Sequence, residues 1–248
     1  KAPYAYALKR ENFGAFAPKP KIEITYAKGA QLPTVTFAAP AGSVVHYTTD
    51  GTNPTISSPT YTSAFTLAKT SIVKAQIFDN TKLPGKVAEV SARAYTWMPA
   101  VKTSGALQPG VAYKYFETKG KQNLAALPSL TPAVTGVTQD ISVAVKKRAS
   151  EFSLLFDGYL KIEKNGIYHF TTRSDDGSIL YIDDEEVVNN DGDHGSVEAA
   201  GKAALKKGYH KIRVAYYDGS GGNELTATMQ LENAPKNTLN SKLIWIKK

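Results

Sequence analysis

The run FSLLFDGYLKIEKNGIYHFTTRSDDGSILYIDDEEVV, residues 152–188, decides the fold class. It holds three blocks, FSLLFDGYLKI (152–162), GIYHFTTR (166–173) and SILYID (178–183), each rich in β-branched and aromatic residues and of strand length. KNG at 164–166 and DDG at 175–177 separate them and are expected to form hairpin turns. Outward from this stretch the pattern continues in VAYKYFE (111–117), DISVAV (140–145), YHKIRVAYY (209–217) and LTATMQL (225–231). Long amphipathic helical patterns are missing, so these blocks predict a large antiparallel β-sandwich or barrel.

The N-terminal part repeats the signal on a smaller scale. IEITY (22–26), TVTFAA (34–39), SVVHYTT (43–49), SIVKAQIF (71–78) and VAEVSARAY (87–95) suggest a small sandwich of immunoglobulin-like type. The chain is therefore expected to be all-β. Residues 1–20 read as a linker or the end of a preceding domain, 21–97 as the small sandwich, 98–110 as a Pro/Gly-rich linker and 111–248 as the larger domain.

Composition narrows the function. The 248 residues are 42% hydrophobic and 21% charged, as in ordinary globular proteins, and no run of 18 or more apolar residues predicts a membrane-spanning helix. Without cysteine there is neither a disulfide framework nor a thiolate metal site. The net charge of +8 comes mostly from residues 1–100, which carry 11 basic and 5 acidic side chains. A nucleic-acid site needs basic residues clustered with stacking aromatics. Here the tyrosines alternate along strand-like runs, so scattered surface lysine is the reading and nucleic acid is not an expected partner.

Against that basic background, eight carboxylates and no Lys or Arg lie between Asp175 and Asp193. Asp183, Asp184, Glu185 and Glu186 sit between ILYI and VV, where a hairpin turn is expected to present them to water. Asp175 and Asp176 follow a strand and precede Gly177, with Ser174 placed to cap the backbone. Neighbouring side chains on an extended strand point to opposite faces, so the two carboxylates can meet one ligand only if the chain turns sharply between them. Asp191 and His194 form a second cluster, with the imidazole expected to be pinned by a carboxylate or carbonyl. The four histidines (46, 169, 194, 210) lack metal-ligand spacing, and no nucleophile elbow, His-Glu-x-x-His or phosphate loop is present. No catalytic centre is expected.

Two resemblances organise these residues. Tyr47, Thr48, Asp50, Gly51, Pro54, Thr55, Ser58, Tyr61, Lys74 and Ala75 match the signature of the chitobiase/β-hexosaminidase C-terminal-like domain over about 22–96. Asp50 and Gly51 there should build a tight corner with Tyr61 packed beneath it. Over about 107–234 the chain resembles the protective-antigen-type β-domain of bacterial toxins, flocculin adhesins and glycosidases. That likeness rests on Phe156 to Gly158, Gly166 with Tyr168 and Phe170, Ser174 to Gly177, Leu180 to Asp183, Asp191-Gly192-x-His194-Gly195, and Gly208-Tyr209-His210.

In the flocculin adhesins the Asp-Asp pair has a cis peptide and holds a calcium ion that touches sugar hydroxyls. The resemblance thus implies a metal set of Asp175, Asp176, Asp218 and Asn223, helped by carbonyls of 219–222, because calcium takes six to eight oxygens. It also implies ligand-binding roles for Asp175, Asp176, Asp191, His194 and Tyr217, with Tyr181 and Tyr216 as further stacking candidates. The glycine-rich loop YYDGSGGNEL (216–225) departs from the adhesin pattern, so hydrogen bonding of the pair to neighbouring loops stands beside calcium as an alternative.

The order of the two domains resembles the tail of bacterial β-N-acetylhexosaminidases. It implies a periplasmic, cell-surface or extracellular accessory region that binds a glycan containing N-acetylhexosamine or galactose next to an upstream catalytic domain. A purely structural module packed on that domain and a calcium-dependent adhesin-like lectin are the alternatives.

Overall fold

The computed structural model describes residues 16–27, 31–79, 82–232 and 234–248. The chain divides into two compact units, Lys1–Thr96 and Trp97–Lys248. Of the expected N-terminal linker, residues 1–15 lie outside the described residues. The rest belongs to the first unit: Phe16 bridges Leu83, and Ala17 is buried with its N–H donating to the Leu83 carbonyl at 2.8 Å.

The first unit has strands β1 (Lys21–Thr25), β2 (Thr34–Ala38), β3 (Val45–Thr48), β4 (Phe65–Thr66), β5 (Ser71–Ile77) and β6 (Ala88–Ala92). They form two antiparallel three-stranded sheets, β1-β2-β4 and β3-β5-β6. β5 reads SIVKAQI with Ser71, Val73, Ala75 and Ile77 buried, the period-two signal of a strand with one face in the core. Val73, Ala75 and Ile77 meet Val35 and Phe37 of β2 in one apolar cluster, so the unit is a sandwich. The Asp50 corner forms as expected. Asp50 Oδ1 accepts from the Thr52 N–H at 3.0 Å and from its hydroxyl at 2.6 Å, while Gly51 has φ +82°. Tyr61 packs edge-on against Phe37 with centroids 4.9 Å apart.

The second unit runs β7 (Trp97–Met98), β8 (Leu107–Pro109), β9 (Val111–Glu117), β10 (Val134–Thr138), β11 (Phe152–Ile162), β12 (Gly166–Asp175), β13 (Ser178–Ile182), β14 (Glu185–Asn190), β15 (Val197–Leu205), β16 (Gly208–Asp218), β17 (Glu224–Leu231), β18 (Asn237–Thr238) and β19 (Ile244–Lys247). An eight-stranded sheet has the order β10-β9-β11-β16-β13-β14, with β19 joining β11 to β8. A five-stranded sheet has the order β18-β17-β12-β15-β7. The core between them includes Phe152, Leu154, Phe156, Phe170, Val214 and Tyr216. The open choice between sandwich and barrel resolves as a sandwich.

Two expectations change. Residues 98–110 are not a free linker. β7 pairs in parallel with Ala204 and Leu205, and β8 pairs with β19, because both sheet edges have backbone groups to satisfy. KNG and DDG are not hairpins either. β11 and β13 lie in the eight-stranded sheet and β12 in the five-stranded one, so both turns carry the chain across the sandwich. A true two-residue hairpin stands at Asp183–Asp184, both with positive φ (50° and 69°), the geometry of a type I′ turn between β13 and β14.

The crossings position the site. β12 to β13 (176–177), β14 to β15 (191–196) and β16 to β17 (219–223) all pass from one sheet to the other at the same end. Register shows this: Ser178 is opposite both Asn190 and Tyr216, and Asp175 is opposite Glu224.

A Gly51→Val change forces a β-branched residue into a left-handed conformation against the Ile72 side chain 3.5 Å away. We expect it to cost the first unit about 1–2 kcal/mol, read as a lower urea midpoint by circular dichroism.

Candidate functional site

The Asp175–Asp176 peptide is cis. Asp176 is nearly buried, at 8% exposure, and its carboxylate ties the other two loops together: Oδ1 accepts from the His194 N–H at 3.1 Å and Oδ2 from the Gly219 N–H at 2.9 Å. Asp175 is half-buried, and its carbonyl accepts from the Tyr216 hydroxyl. The 219–223 loop lies against the pair. A Cβ on Gly222 would stand 3.0 Å from Asp175 Oδ2, so a side chain there would crowd the carboxylate.

Beneath the turn lies a buried polar network absent from the sequence reading. Asn190 Nδ2 donates to Ser174 Oγ at 2.9 Å and to the Val197 carbonyl at 3.0 Å. Ser174 and Ser178 hydroxyls are 2.8 Å apart, and Ser178 Oγ donates to Thr172 Oγ1 at 3.0 Å. Ser174 thus serves a side-chain network; the expected backbone cap is not among its bonds. Every member is buried and bonded, which holds the chain ends flanking the Asp pair in one arrangement.

Asp218 is fully buried on the last residue of β16. Its Oδ2 accepts from the Glu151 N–H at 3.0 Å, while Oδ1 has no hydrogen-bond partner among the described residues. Burial first, then the negative charges of Asp176 and Asp175, push its carboxyl up to about 6. Asn223 is held from the far side. Its Oδ1 accepts from Lys146 Nζ at 2.5 Å and its Nδ2 donates to the Ala149 carbonyl at 2.7 Å. Among the described residues no group of three or more His, Cys, Asp or Glu side chains is arranged to hold a metal, so Asp218 does not converge with the pair into an all-carboxylate cage. Lys146 and the 149–151 backbone lie 67 to 77 residues from their partners, and nothing in the local sequence marks them.

The remaining candidates separate by burial. Tyr217, expected to offer its ring to a ligand, is fully buried. It acts from below, with its hydroxyl donating to Asp193 Oδ1 at 2.6 Å. Tyr216 is likewise interior, and Tyr181 is half-buried on the sheet's outer face, where it packs on a smaller apolar cluster. Both sides of this sheet segment are covered, by the main core and by the smaller cluster. Asp191 is exposed. His194 has Nδ1 2.8 Å from the Gly195 carbonyl and Nε2 3.1 Å from the Asn190 carbonyl, a geometry only the imidazolium can satisfy by donating twice. Burial opposes that charge, but the two carbonyls and the Asp176 carboxylate hold its pKa above the usual value.

The four turn acids are not uniformly solvated. Asp183 Oδ2 is 2.6 Å from Nδ1 of the buried His210, and its Oδ1 accepts from the Lys211 N–H at 2.7 Å. Positive φ at both turn residues folds the Asp183 carboxylate back over the sheet edge. Asp184 pairs with Lys211 at 2.9 Å, while Glu185 and Glu186 are exposed. Burial lowers the His210 pKa, but the Asp183 carboxylate and the Lys206 carbonyl outweigh it and raise the pKa overall.

The profile of the PA14 domain matches residues 107–241, more than half of the chain, and that of the chitobiase/beta-hexosaminidase C-terminal domain matches 23–89. No curated protein matches the chain. Among solved structures, the PA14 domain of the MpAFP antifreeze protein is 19% identical, with a TM-score of 0.50 over 59% of this chain and 95% of that one. The PA14 sugar-binding domain of an RTX adhesin is 14% identical, with a TM-score of 0.48 over 56% and 99%. The subtype-switched Epithelial Adhesin 9 to 1 A domain from Candida glabrata, solved with beta-lactose, is 12% identical, with a TM-score of 0.49 over 62% and 95%.

Because folding favours protonated His210, its contribution to stability is complete below about pH 6.5 and is lost as pH rises through the raised folded value. By proton NMR, His210 should titrate above 6.5. Asp183→Asn should move that midpoint down and flatten the loss of stability as pH rises above about 6.5; an unmoved midpoint would show that the carboxylate does not set it.

Proposed function

This chain belongs to the PA14 domain family, and on that premise we propose that its second unit binds a glycan at the end of the sandwich where residues 175–177, 191–196 and 219–223 meet. The single observation that carries the reading is the Asp176 carboxylate on the 175–177 turn, on which the 191–196 and 219–223 loops both lean, with Gly222 of the latter against Asp175. We further propose that the aspartates hold calcium there. A bound calcium ion supplies a positive centre that sugar hydroxyls can approach as ligands.

The residues present fit such an ion. All candidate donors are hard oxygens, as calcium prefers. Asp218 keeps a buried oxygen with no partner among the described residues, and its carboxyl is raised first by burial and then by the charges of Asp176 and Asp175, which a cation would offset. Each Asp176 oxygen accepts one N–H and retains a second lone pair. Asp175 and Asp176 would hold the ion with the Asn223 side chain and carbonyls of 219–222, while Asp218 acts from behind through its charge. Asn223 must first exchange the Lys146 ammonium that its oxygen now accepts.

The match of the first unit to a chitobiase/beta-hexosaminidase C-terminal domain supports a wider reading. We propose that the chain is a non-catalytic region of a secreted bacterial glycan-degrading protein of β-N-acetylhexosaminidase type, periplasmic or at the cell surface, and that it keeps a catalytic domain near its substrate. Among the described residues no helix is long and apolar enough to cross a membrane. A scaffold role is the second reading, and one observation favours it: both Asp176 oxygens already serve main-chain amides.

A glycan array read with calcium and again with chelator separates the two. Binding to galactose- or N-acetylhexosamine-terminated glycans that chelator abolishes is the expected result. Silence in both arms leaves the scaffold. Calcium at a hundredfold excess over Kd should also stabilise the second unit by about 2.7 kcal/mol.

In direct calcium titrations, Lys146→Met should bind at least about tenfold more tightly than the parent chain, or about 1.4 kcal/mol, because Asn223 no longer has an ammonium to release. Equal affinities would remove Asn223 from the ligand set.

A further inference from the structure

The outer face of the eight-stranded sheet is covered at the loop end and open farther along. Phe116, Leu155, Ile179, Ala215 and Tyr217 pack there beneath Leu124 and Leu127 of a short 3-10 segment, Leu124–Ser129. Two residues along each strand that cover stops. Alternation then brings Asp157 of β11 opposite Arg213 of β16, and Tyr159 opposite Lys211, all on the same outer face. Together with Asp184 of the type I′ turn and Lys247 of β19 they line a cavity of about 240 Å³. Pockets for drug-sized ligands run to about 300–1,000 Å³, so this one suits a single small ring rather than a long ligand.

The polar groups are held in place before any ligand arrives. Arg213 Nε donates to Asp157 Oδ1 at 2.9 Å, and Arg213 Nη1 lies 3.7 Å from Asp184 Oδ1. Lys211 Nζ donates to Asp184 Oδ2 at 2.9 Å. Arg213 and Asp157 are both about one-third exposed, enough to be reached from solvent. The guanidinium carries five N–H donors, and Asp157 Oδ2 makes no hydrogen bond among the described residues. A fixed donor group therefore stands beside a fixed acceptor. Half-exposed Tyr159 adds an aromatic surface at the edge.

Those features choose among ligand classes. A phosphate or carboxylate needs several uncommitted cations, but Arg213 and Lys211 are already neutralised by Asp157 and Asp184, which leaves Lys247 alone at the rim. A purely apolar ligand would strand the ion pairs without water. Vicinal hydroxyls each donate and accept, which matches the alternating guanidinium and carboxylate, and the C–H face of a pyranose can rest on a tyrosine ring.

We propose that this groove is a second saccharide subsite, independent of metal, that takes one neutral sugar residue. It is separate from the loop site. Arg213 and Asp218 stand five positions apart on β16, roughly 17 Å along an extended strand. The proposal stands whether or not the loop end binds a glycan.

Amide chemical-shift mapping of the ¹⁵N-labelled full chain with N-acetyllactosamine, in excess EGTA, tests it. Saturable shifts at Tyr159, Lys211 and Arg213 are expected. Tyr159→Ala and, separately, the near-isosteric Asp157→Asn should each weaken them about fivefold, or about 1 kcal/mol, while other resonances stay dispersed. Shifts confined to 175–177, 191–196 and 219–223 would leave the loop reading standing and overturn this one. Shifts at Arg213 with inorganic phosphate but not with the sugar would overturn it as well, as would no response.

Discussion

One carboxylate holds the working end of the second unit together. Asp176 accepts a main-chain N–H from each of two loops that are distant in sequence, at His194 and at Gly219. Charge-assisted bonds to backbone amides contribute more than neutral ones, and a nearly buried carboxylate left without them would face the full desolvation cost. The three sheet-crossing loops are therefore interdependent. The 175–177 turn cannot move without releasing 191–196 and 219–223, and the Asn190–Ser174–Ser178–Thr172 network under it resists the same motion from within.

That constraint explains why a basic chain gathers its acids into one stretch. Several of the acids have found different partners. Asp176 binds amides, Asp183 a buried imidazole, Asp184 a lysine, and Asp193 a tyrosine hydroxyl. Asp218 joins them from another strand with one oxygen unpartnered among the described residues, and burial beside two like charges raises its pKa. Negative charge is thus concentrated and incompletely compensated at one place. Lys146 binds Asn223 and, among the described residues, makes no ion pair with the aspartates, while the His194 imidazolium lies beside Asp176. The proposed calcium would offset that concentration of negative charge.

The first unit has a different character. Its matched residues build a corner: Asp50 closes a turn over Gly51, and Tyr61 packs on Phe37. Its apolar faces fill a separate core, and its motif residues spend their polar atoms on the backbone nearby. Such a motif specifies shape. The second unit is where polar atoms point toward one another from distant parts of the chain, which is the arrangement that chemistry or recognition requires.

Much of this was legible in the linear chain, because period-two alternation and turn residues are local properties. The strand blocks at 71–78, 152–162 and 209–217 fall within a residue or two of the strands they became, and the Asp-Asp-Gly turn was recognisable as the place where two carboxylates could meet. Sheet membership was not legible. A turn between two strands looks the same in sequence whether it closes a hairpin or arches between sheets, so KNG and DDG were misassigned while the hairpin expected at Asp183–Asp184 formed. For the same reason alternation could place Tyr217 on a face but could not say that Leu124 and Leu127 would cover it. The sequence by itself determined strand positions, composition of the cores and the candidate carboxylates. Only the tertiary structure decided which loops share an end, which tyrosines are hidden, and that Lys146, Glu151 and Asn190 belong to the site. Those outcomes depend on contacts between residues far apart in the chain, and no local pattern encodes them.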